Sequence, residues 1–277
     1  MFLASSQPVP SRPGRLRRGL AVALLGLSLA ACGSDDKDAY VDRPVEELYN
    51  LGMDKLAEGE WPTAAKNFEE VERQHPYSVW ATKAQLMNAY SLYMANRYDD
   101  AILAAQRYAQ LYPANKDVAY AYYIVAIANY EQIVDVGRDQ QKTAEALKAL
   151  DEVVRRFPNS EYARDARLKI DLTRDHLAGK EMEVGRYYLK RNQVVAAINR
   201  FRYVVENYQT TSHVPEALHR LTEAYLSLGV IDEAKAAAAV LGYNFPGSEW
   251  YLDSYALLTG QNMRPEEKKS SWLSRIF

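Results

Sequence analysis

Few residues of this chain could do covalent or acid–base chemistry. Among 277 residues there is one cysteine, Cys32, and there are four histidines. A lone thiol excludes a disulfide framework and a cysteine cluster for zinc or iron–sulfur. His213 and His219 stand six apart and lack the i, i+4 spacing by which one helix face offers two ligands to a metal. Ser, His and Asp are present, but the sequence has no Gly-x-Ser-x-Gly elbow, Walker loop or Gly-x-Gly-x-x-Gly turn. Neither a nucleophile–base constellation nor a phosphate cradle is legible, and the expectation is a protein that is not an enzyme. What stands out is one thiol and a stock of aromatic hydroxyls, 21 Tyr against 6 Phe.

The elements around those groups begin with the leader. Arg12, Arg15, Arg17 and Arg18 precede an uncharged run, Gly19 to Ala30. That run is shorter than the roughly 20 residues a spanning helix needs, and it suits the core of a signal peptide. The string Leu29-Ala30-Ala31-Cys32-Gly33 closely resembles the lipobox of bacterial lipoproteins. The resemblance implies that residues 1–31 are removed and that Cys32 is acylated as the first mature residue, with no cofactor beyond that covalent lipid. An ordinary signal peptide with an incidental cysteine is the alternative. Gly33 and Ser34 stand where the inner-membrane retention signal would place Asp, which implies export to the outer membrane. Without the four leader arginines, 30 basic residues face 36 acidic ones, a net charge of −6. Acyl chains, not a basic patch, must then hold the protein to the membrane. Residues 32–44 are polar and aperiodic, a tether.

With 48 % apolar and 25 % charged residues, the chain as a whole is that of a globular protein. Its 34 basic residues nearly cancel its 36 acidic ones, so it lacks the basic footprint of a nucleic-acid binder. From Val45 the pattern is helical almost throughout. An Ala followed twelve residues later by Pro recurs as Ala64–Pro76, Ala101–Pro113, Ala146–Pro158 and Ala234–Pro246. Phe68, Ala105, Leu150 and Ala238 lie between them, and the small residues Gly52, Ala89, Gly185 and Thr222 lie twelve before an Ala of the series. A further unit runs Gly185, Ala197, Phe201, with Gln209 in place of the Pro, and is the least regular. The pattern resembles the tetratricopeptide repeat, whose small residues let two antiparallel helices touch. Successive alanines are 37, 45, 51 and 37 residues apart, against about 34 for the bare repeat. In the third unit, the extra eight residues fit the polar stretch Asp135–Asp139. Ser160 to Lys190 is one long helix, or two with a weak point at Gly179. The expected fold is all-α, a right-handed solenoid of five tetratricopeptide-like helix pairs with about ten helices.

Three strings make the resemblance more specific. They are Tyr112-Pro113-Ala114-Asn115-Lys116-Asp117-Val118-Ala119-Tyr120-Ala121-Tyr122-Tyr123, then Phe157-Pro158-Asn159-Ser160-Glu161-Tyr162 with Asp165-Ala166, and Glu181 to Gly185 leading into Tyr187-Tyr188. Behind a lipobox and five repeats, they resemble the BamD (ComL) family over roughly Cys32 to Gly260. That resemblance implies a scaffold on the periplasmic face of the outer membrane, held there by acyl chains and bound to the POTRA region of BamA and to other Bam subunits. It implies N-terminal repeats (45–158) that meet unfolded outer-membrane β-barrel proteins, whose final strand usually ends in Phe, and C-terminal repeats (159–260) that meet the partners. Another envelope repeat lipoprotein, serving division or pilus assembly, is the alternative; a peptidoglycan-acting enzyme is a remote one.

In the repeat family the inner groove is lined by one face of each first helix. Here those positions are Tyr49, Met53, Leu86, Tyr90, Tyr93, Met94, Tyr120, Tyr123, Ile127 and Tyr130 in the first three units. In the last two they are Met182, Arg186, Leu189, Lys190, Glu216, His219 and Glu223, of which Arg186, Lys190, Glu216 and Glu223 are the candidate partner contacts. Tyrosine buries apolar groups and hydrogen-bonds a peptide backbone, and methionine adapts to varied sequences. The bland alternative for each aromatic residue is packing against the next helix. Arg164 to Asp175 alternate in sign, the mark of a solvated, ion-pair-laced face. Finally, 261–277 form a tail in which Trp272, Leu273, Ile276 and Phe277 have amphipathic spacing, a docking segment for a partner or for the solenoid itself.

Overall fold

The structure, a computed structural model, describes residues 42–260. These form eleven helices and no strand: α1 Val45–Ala57, α2 Trp61–Gln74, α3 Val79–Met94, α4 Tyr98–Leu111, α5 Val118–Tyr130, α6 Gln141–Arg156, α7 Glu161–Lys190, α8 Val194–Asn207, α9 Val214–Ser227, α10 Ile231–Asn244 and α11 Glu249–Thr259. The leader, Cys32, the tether up to residue 41 and the segment Trp272–Phe277 lie outside the described residues. No helix among the described residues is long and apolar enough to cross a membrane.

Two kinds of turn repeat. Within pairs one, two, four and five, the first helix stops at a residue in the left-handed region: Gly59 (φ 77°), Asn96 (58°), Asn192 (59°) and Gly229 (75°). Gly and Asn are the residues that tolerate this conformation. The following amide reaches back to close the helix end, as in Glu60 N–H to Lys55 O and Val230 N–H to Tyr225 O, both 2.9 Å. In pair three this turn is replaced by the loop 131–140, where Asp135 Oδ1 accepts from Gly137 N–H at 2.7 Å. The eight additional residues therefore sit in that loop.

Between pairs, the second helix ends at His75, Tyr112, Phe157, Tyr208 or Phe245. All five share a backbone near φ −130°, ψ 50°, outside the helical region. Each carbonyl accepts from the amide three residues on, at Ser78, Asn115, Ser160, Thr211 and Ser248. Proline after four of these residues disfavours the helical conformation before it. Gln209 imposes no such restriction, yet Tyr208 adopts the same geometry. Its ring packs on the neighbouring core, and Thr211 Oγ1 also donates to its carbonyl at 2.8 Å. The unit that looks least regular in sequence is thus regular in structure.

Among the described residues consecutive helices pack against one another, and α1, α3, α5 and α7 also touch across pairs, to an extent that the second helices do not match. The first helices therefore form the crowded inner row. Within pairs, the contact is made at the small residues. A Cβ on Gly52 would lie 2.6 Å from the Phe68 ring, and one on Gly185 would lie 2.4 Å from Phe201. Where the first helix carries Ala89 the mate is Ala105, and Ala126 shares its cluster with Leu150. All eight are buried.

The helix α7 is continuous over 30 residues, about 45 Å. Gly179 does not break it and is buried against His213 and Val136. Ser160 caps its start, accepting from Ala163 N–H at 3.1 Å. Its first half contributes Ala166 and Ile170 to the core around α5 and α6, and its second half contributes Ala178 and Met182 to the core of α8 to α10. One helix thus joins two hydrophobic cores. The five expected pairs account for ten helices, and α11, after Pro246, is one more beyond them.

Replacing Gly185 with Ala gains about 1 kcal/mol of helix propensity but forces a methyl into a fully buried ring, with overpacking typically costing about 1–3 kcal/mol. A net loss of about 1 kcal/mol is expected. Gly247→Ala, where nothing lies within 4 Å, should be neutral or slightly stabilising. Denaturant melts of the two variants check this.

Candidate functional site

The inner row carries a chain of aromatic rings. Tyr49 on α1 lies 4.8 Å from Trp80 and 5.5 Å from Phe68. Tyr90 on α3 borders the first two cores and lies 6.4 Å from Tyr120 on α5. Tyr120 and Tyr123 both meet Tyr162 on α7, at 5.3 and 5.2 Å. Tyr123 Oη donates to Asp165 Oδ2 at 2.6 Å, Tyr93 Oη approaches Glu131 Oε1 at 3.5 Å, and Lys169 Nζ sits 5.3 Å from the Tyr130 ring. Tyr49 and Leu86 line a cavity of about 530 Å³ that Val79, which is 77 % exposed, also borders.

Burial raises the hydroxyls of Tyr49, Tyr120 and Tyr123 above the ordinary range, Tyr123 further through its bond to Asp165. Tyr93 is pushed up to about 12 by burial and by the neighbouring Glu131 carboxylate. These phenols stay neutral, and Tyr123 commits its proton to Asp165. Of the expected groove residues, Leu86 and Ile127 are each only 8 % exposed, although Leu86 still borders the cavity beside Tyr49. Met53 is 39 % exposed, and Met94 is partly so.

The far half carries charge of a different kind. Arg186 Nη1 on α7 donates to both oxygens of Glu216 on α9, at 3.1 and 3.0 Å. Arg220 Nη1 donates to Glu223 Oε2 at 2.7 Å, and His219 Nε2 lies 3.5 Å from the other Glu223 oxygen. His219 Nδ1 is 2.9 Å from Ser254 Oγ on α11, and the Arg220 guanidinium lies 5.4 Å from the Trp250 ring. Arg186, Glu216 and Glu223 are thus joined, through Arg220, in one chain linking α7, α9 and α11. Lys190 alone of the expected partner set is exposed with no described side chain paired to it. Met182 and His219 are buried, and Leu189 packs on the core of α8 to α10.

Among the described residues no group of His, Cys, Asp and Glu could hold a metal ion. Residues 41–241 match the family described as YfiO, outer membrane lipoprotein. A protein of Caulobacter vibrioides named outer membrane protein assembly factor BamD is 54 % identical over 255 residues, covering 91 % of this chain and 84 % of its own. The chain belongs to the BamD family. Relatives of the same name from Rickettsia prowazekii and Neisseria meningitidis are 45 % and 36 % identical, covering 86 % and 87 % of this chain and 95 % and 96 % of their own. Family membership makes the chain an outer-membrane lipoprotein with an assembly-factor role.

Sequence reasoning missed Trp80, Tyr162, Asp165 and Lys169 in the inner row. The last three fall at i, i+3, i+7 on α7, a spacing that marks one helix face. Their alternation in sign with neighbours concealed it, because outer charges such as Arg174, 3.7 Å from Asp151, are interleaved with them.

Hydrogen bonding from His219, then from Arg220, outweighs burial and lowers the Glu223 carboxyl to about 2. The unfolded chain, with an ordinary value near 4.5, binds this proton first. Glu223 therefore stabilises the fold above about pH 4.5, and the contribution is lost as pH falls toward 2. Thermal melts should show Glu223→Gln less stable than the parent at pH 7, with the gap narrowing below pH 4.5.

Proposed function

We propose that the chain acts as a non-enzymatic scaffold in the β-barrel assembly machinery, lipid-anchored through Cys32 on the periplasmic face of the outer membrane. Its inner row over α1, α3, α5 and the start of α7 receives extended segments of unfolded β-barrel proteins. The observation that carries this reading is the ring chain Tyr90–Tyr120–Tyr162–Tyr123, which crosses three first helices. Rings give an aromatic-ended segment apolar area at low entropic cost, and neutral hydroxyls can donate to its backbone carbonyls. Such contacts do not depend on one sequence, as a receptor for many clients requires.

The charged half, with Arg186, Lys190, Glu216 and Glu223, docks a folded partner, the POTRA region of BamA or another Bam subunit. Since Arg186 and Glu216 are paired to each other and Glu223 to Arg220, a partner must exchange ion pairs instead of finding free charges, which favours selectivity over raw affinity. Residues 1–31 serve as the leader and 32–44 as the tether. Blocks 45–158 and 159–260 divide the labour at α7.

Photocrosslinking in cells from position 90 or 123 should capture unfolded β-barrel proteins, and from position 186 a folded Bam subunit. Capture only of division or pilus components would overturn the reading. Tyr90→Ala should weaken binding of a Phe-ended extended peptide by about ten-fold, roughly 1.4 kcal/mol, in equilibrium titration. Cys32→Ala should move the protein from membrane to soluble fractions; continued sedimentation with membranes contradicts the lipid anchor.

A further inference from the structure

The first helix of every pair is covered by a second helix, but among the described residues none follows α11 to cover it. It packs on α9 and α10 as α3 packs on α1 and α2, and so holds the place of a first helix in a sixth pair. Trp250 and Tyr251 join the last core, and the Tyr251 ring lies over Gly242, 2.4 Å from where a Cβ would be. Of the eleven residues of α11, only Ser254 is buried. Leu252, Tyr255 and Ala256 share one face at i, i+3, i+4, are only partly covered, and belong to none of the core clusters. Solenoids need a polar outer face where the stack stops, and α11 ends this one with an apolar face.

The chain leaves α11 through Gly260 at φ 64°, the left-handed conformation that turns it back toward the stack after four other first helices. In those pairs the residues five, nine and twelve positions later are buried: Ala64, Phe68 and Val71 after Gly59, and Ala197, Phe201 and Val204 after Asn192. After Gly260 the same offsets give Pro265, Lys269 and Trp272. Proline and lysine do not match the buried apolar positions that the other second helices carry at these offsets. The apolar residues come later, at Trp272, Leu273, Ile276 and Phe277. The twelve residues from Gly260 to Trp272 can extend about 40 Å, more than twice the ~16 Å length of α11. Arg275 within the segment complements Glu249 and Asp253, the charges of α11, which has no basic residue.

We propose that Trp272–Phe277 docks on the Leu252, Tyr255 and Ala256 face of α11 in the same molecule, closing the end of the solenoid where the second helix is missing. The family match stops at residue 241, so this closure belongs to a part of the chain beyond it. The test uses the full mature chain with Cys32→Ala, comparing amide hydrogen exchange with and without the pair Leu273→Asp and Ile276→Asp. Exchange of α11 amides is expected to be at least ten-fold faster in the pair, with α1 to α6 unchanged; equal rates overturn the proposal. Because the substitutions lie in the tail, they spare the solenoid core. A second chain carrying Leu252→Cys and Ile276→Cys, oxidised at low concentration, should run as a crosslinked monomer on a non-reducing gel. Crosslinked dimers would make the occupant a second copy, and absence of any crosslink would leave the face uncovered; either result overturns intramolecular closure.

Discussion

Every helix pair depends on two backbones approaching at one small residue. At Gly52 and Gly185 the missing side chain leaves room for a whole phenylalanine ring, and at Ala89 the space is smaller and the mate is Ala105. Complementary volume, not a fixed residue type, sets the distance, so the positions vary in sequence while the geometry repeats. Because each pair then buries its outer faces only against adjacent pairs, stability is local and the array can change register without unfolding.

It does so at α7. A 30-residue helix serves pair three with one half and pair four with the other, and the buried face rotates between Thr173 and Ala178. Aromatic contacts across the inner row end in its first half, at Tyr162; ion pairs to α9 begin in its second half, at Arg186. The loop 131–140 fills the gap left by the step, with Lys180 Nζ donating to Gly137 O at 3.0 Å. The division between a neutral, aromatic half and a charged half therefore follows from one long helix more than from any boundary in composition.

The two halves also differ in how they respond to solution conditions. Phenols are neutral near pH 7 even when exposed, and burial raises Tyr93, Tyr120 and Tyr123 further, so their hydrogen-bonding capacity does not change with pH near neutrality. The second half rests on carboxylate, guanidinium and imidazole contacts, which salt and acid both weaken. A scaffold with one side of each kind can hold a variable client by shape and a constant partner by charge.

The sequence by itself determined the repeat count, the small residues at each pair's contact, the extra loop after α5 and the family resemblance. All of these are local patterns or spacings along one chain, and each kept its meaning in the fold. Only the tertiary structure decided that Tyr208 turns the chain as the pre-proline residues do, because the conformation there comes from ring packing and the Thr211 hydrogen bonds. Only it showed that Tyr162 and Asp165 meet the inner-row tyrosines, since α7 belongs to two cores and its exposed face cannot be assigned from one periodicity. The structure likewise revealed α11, whose single packed side leaves no repeat signature. Residue types and spacing specify which helices meet, but which side of a helix faces outward depends on all of its neighbours at once.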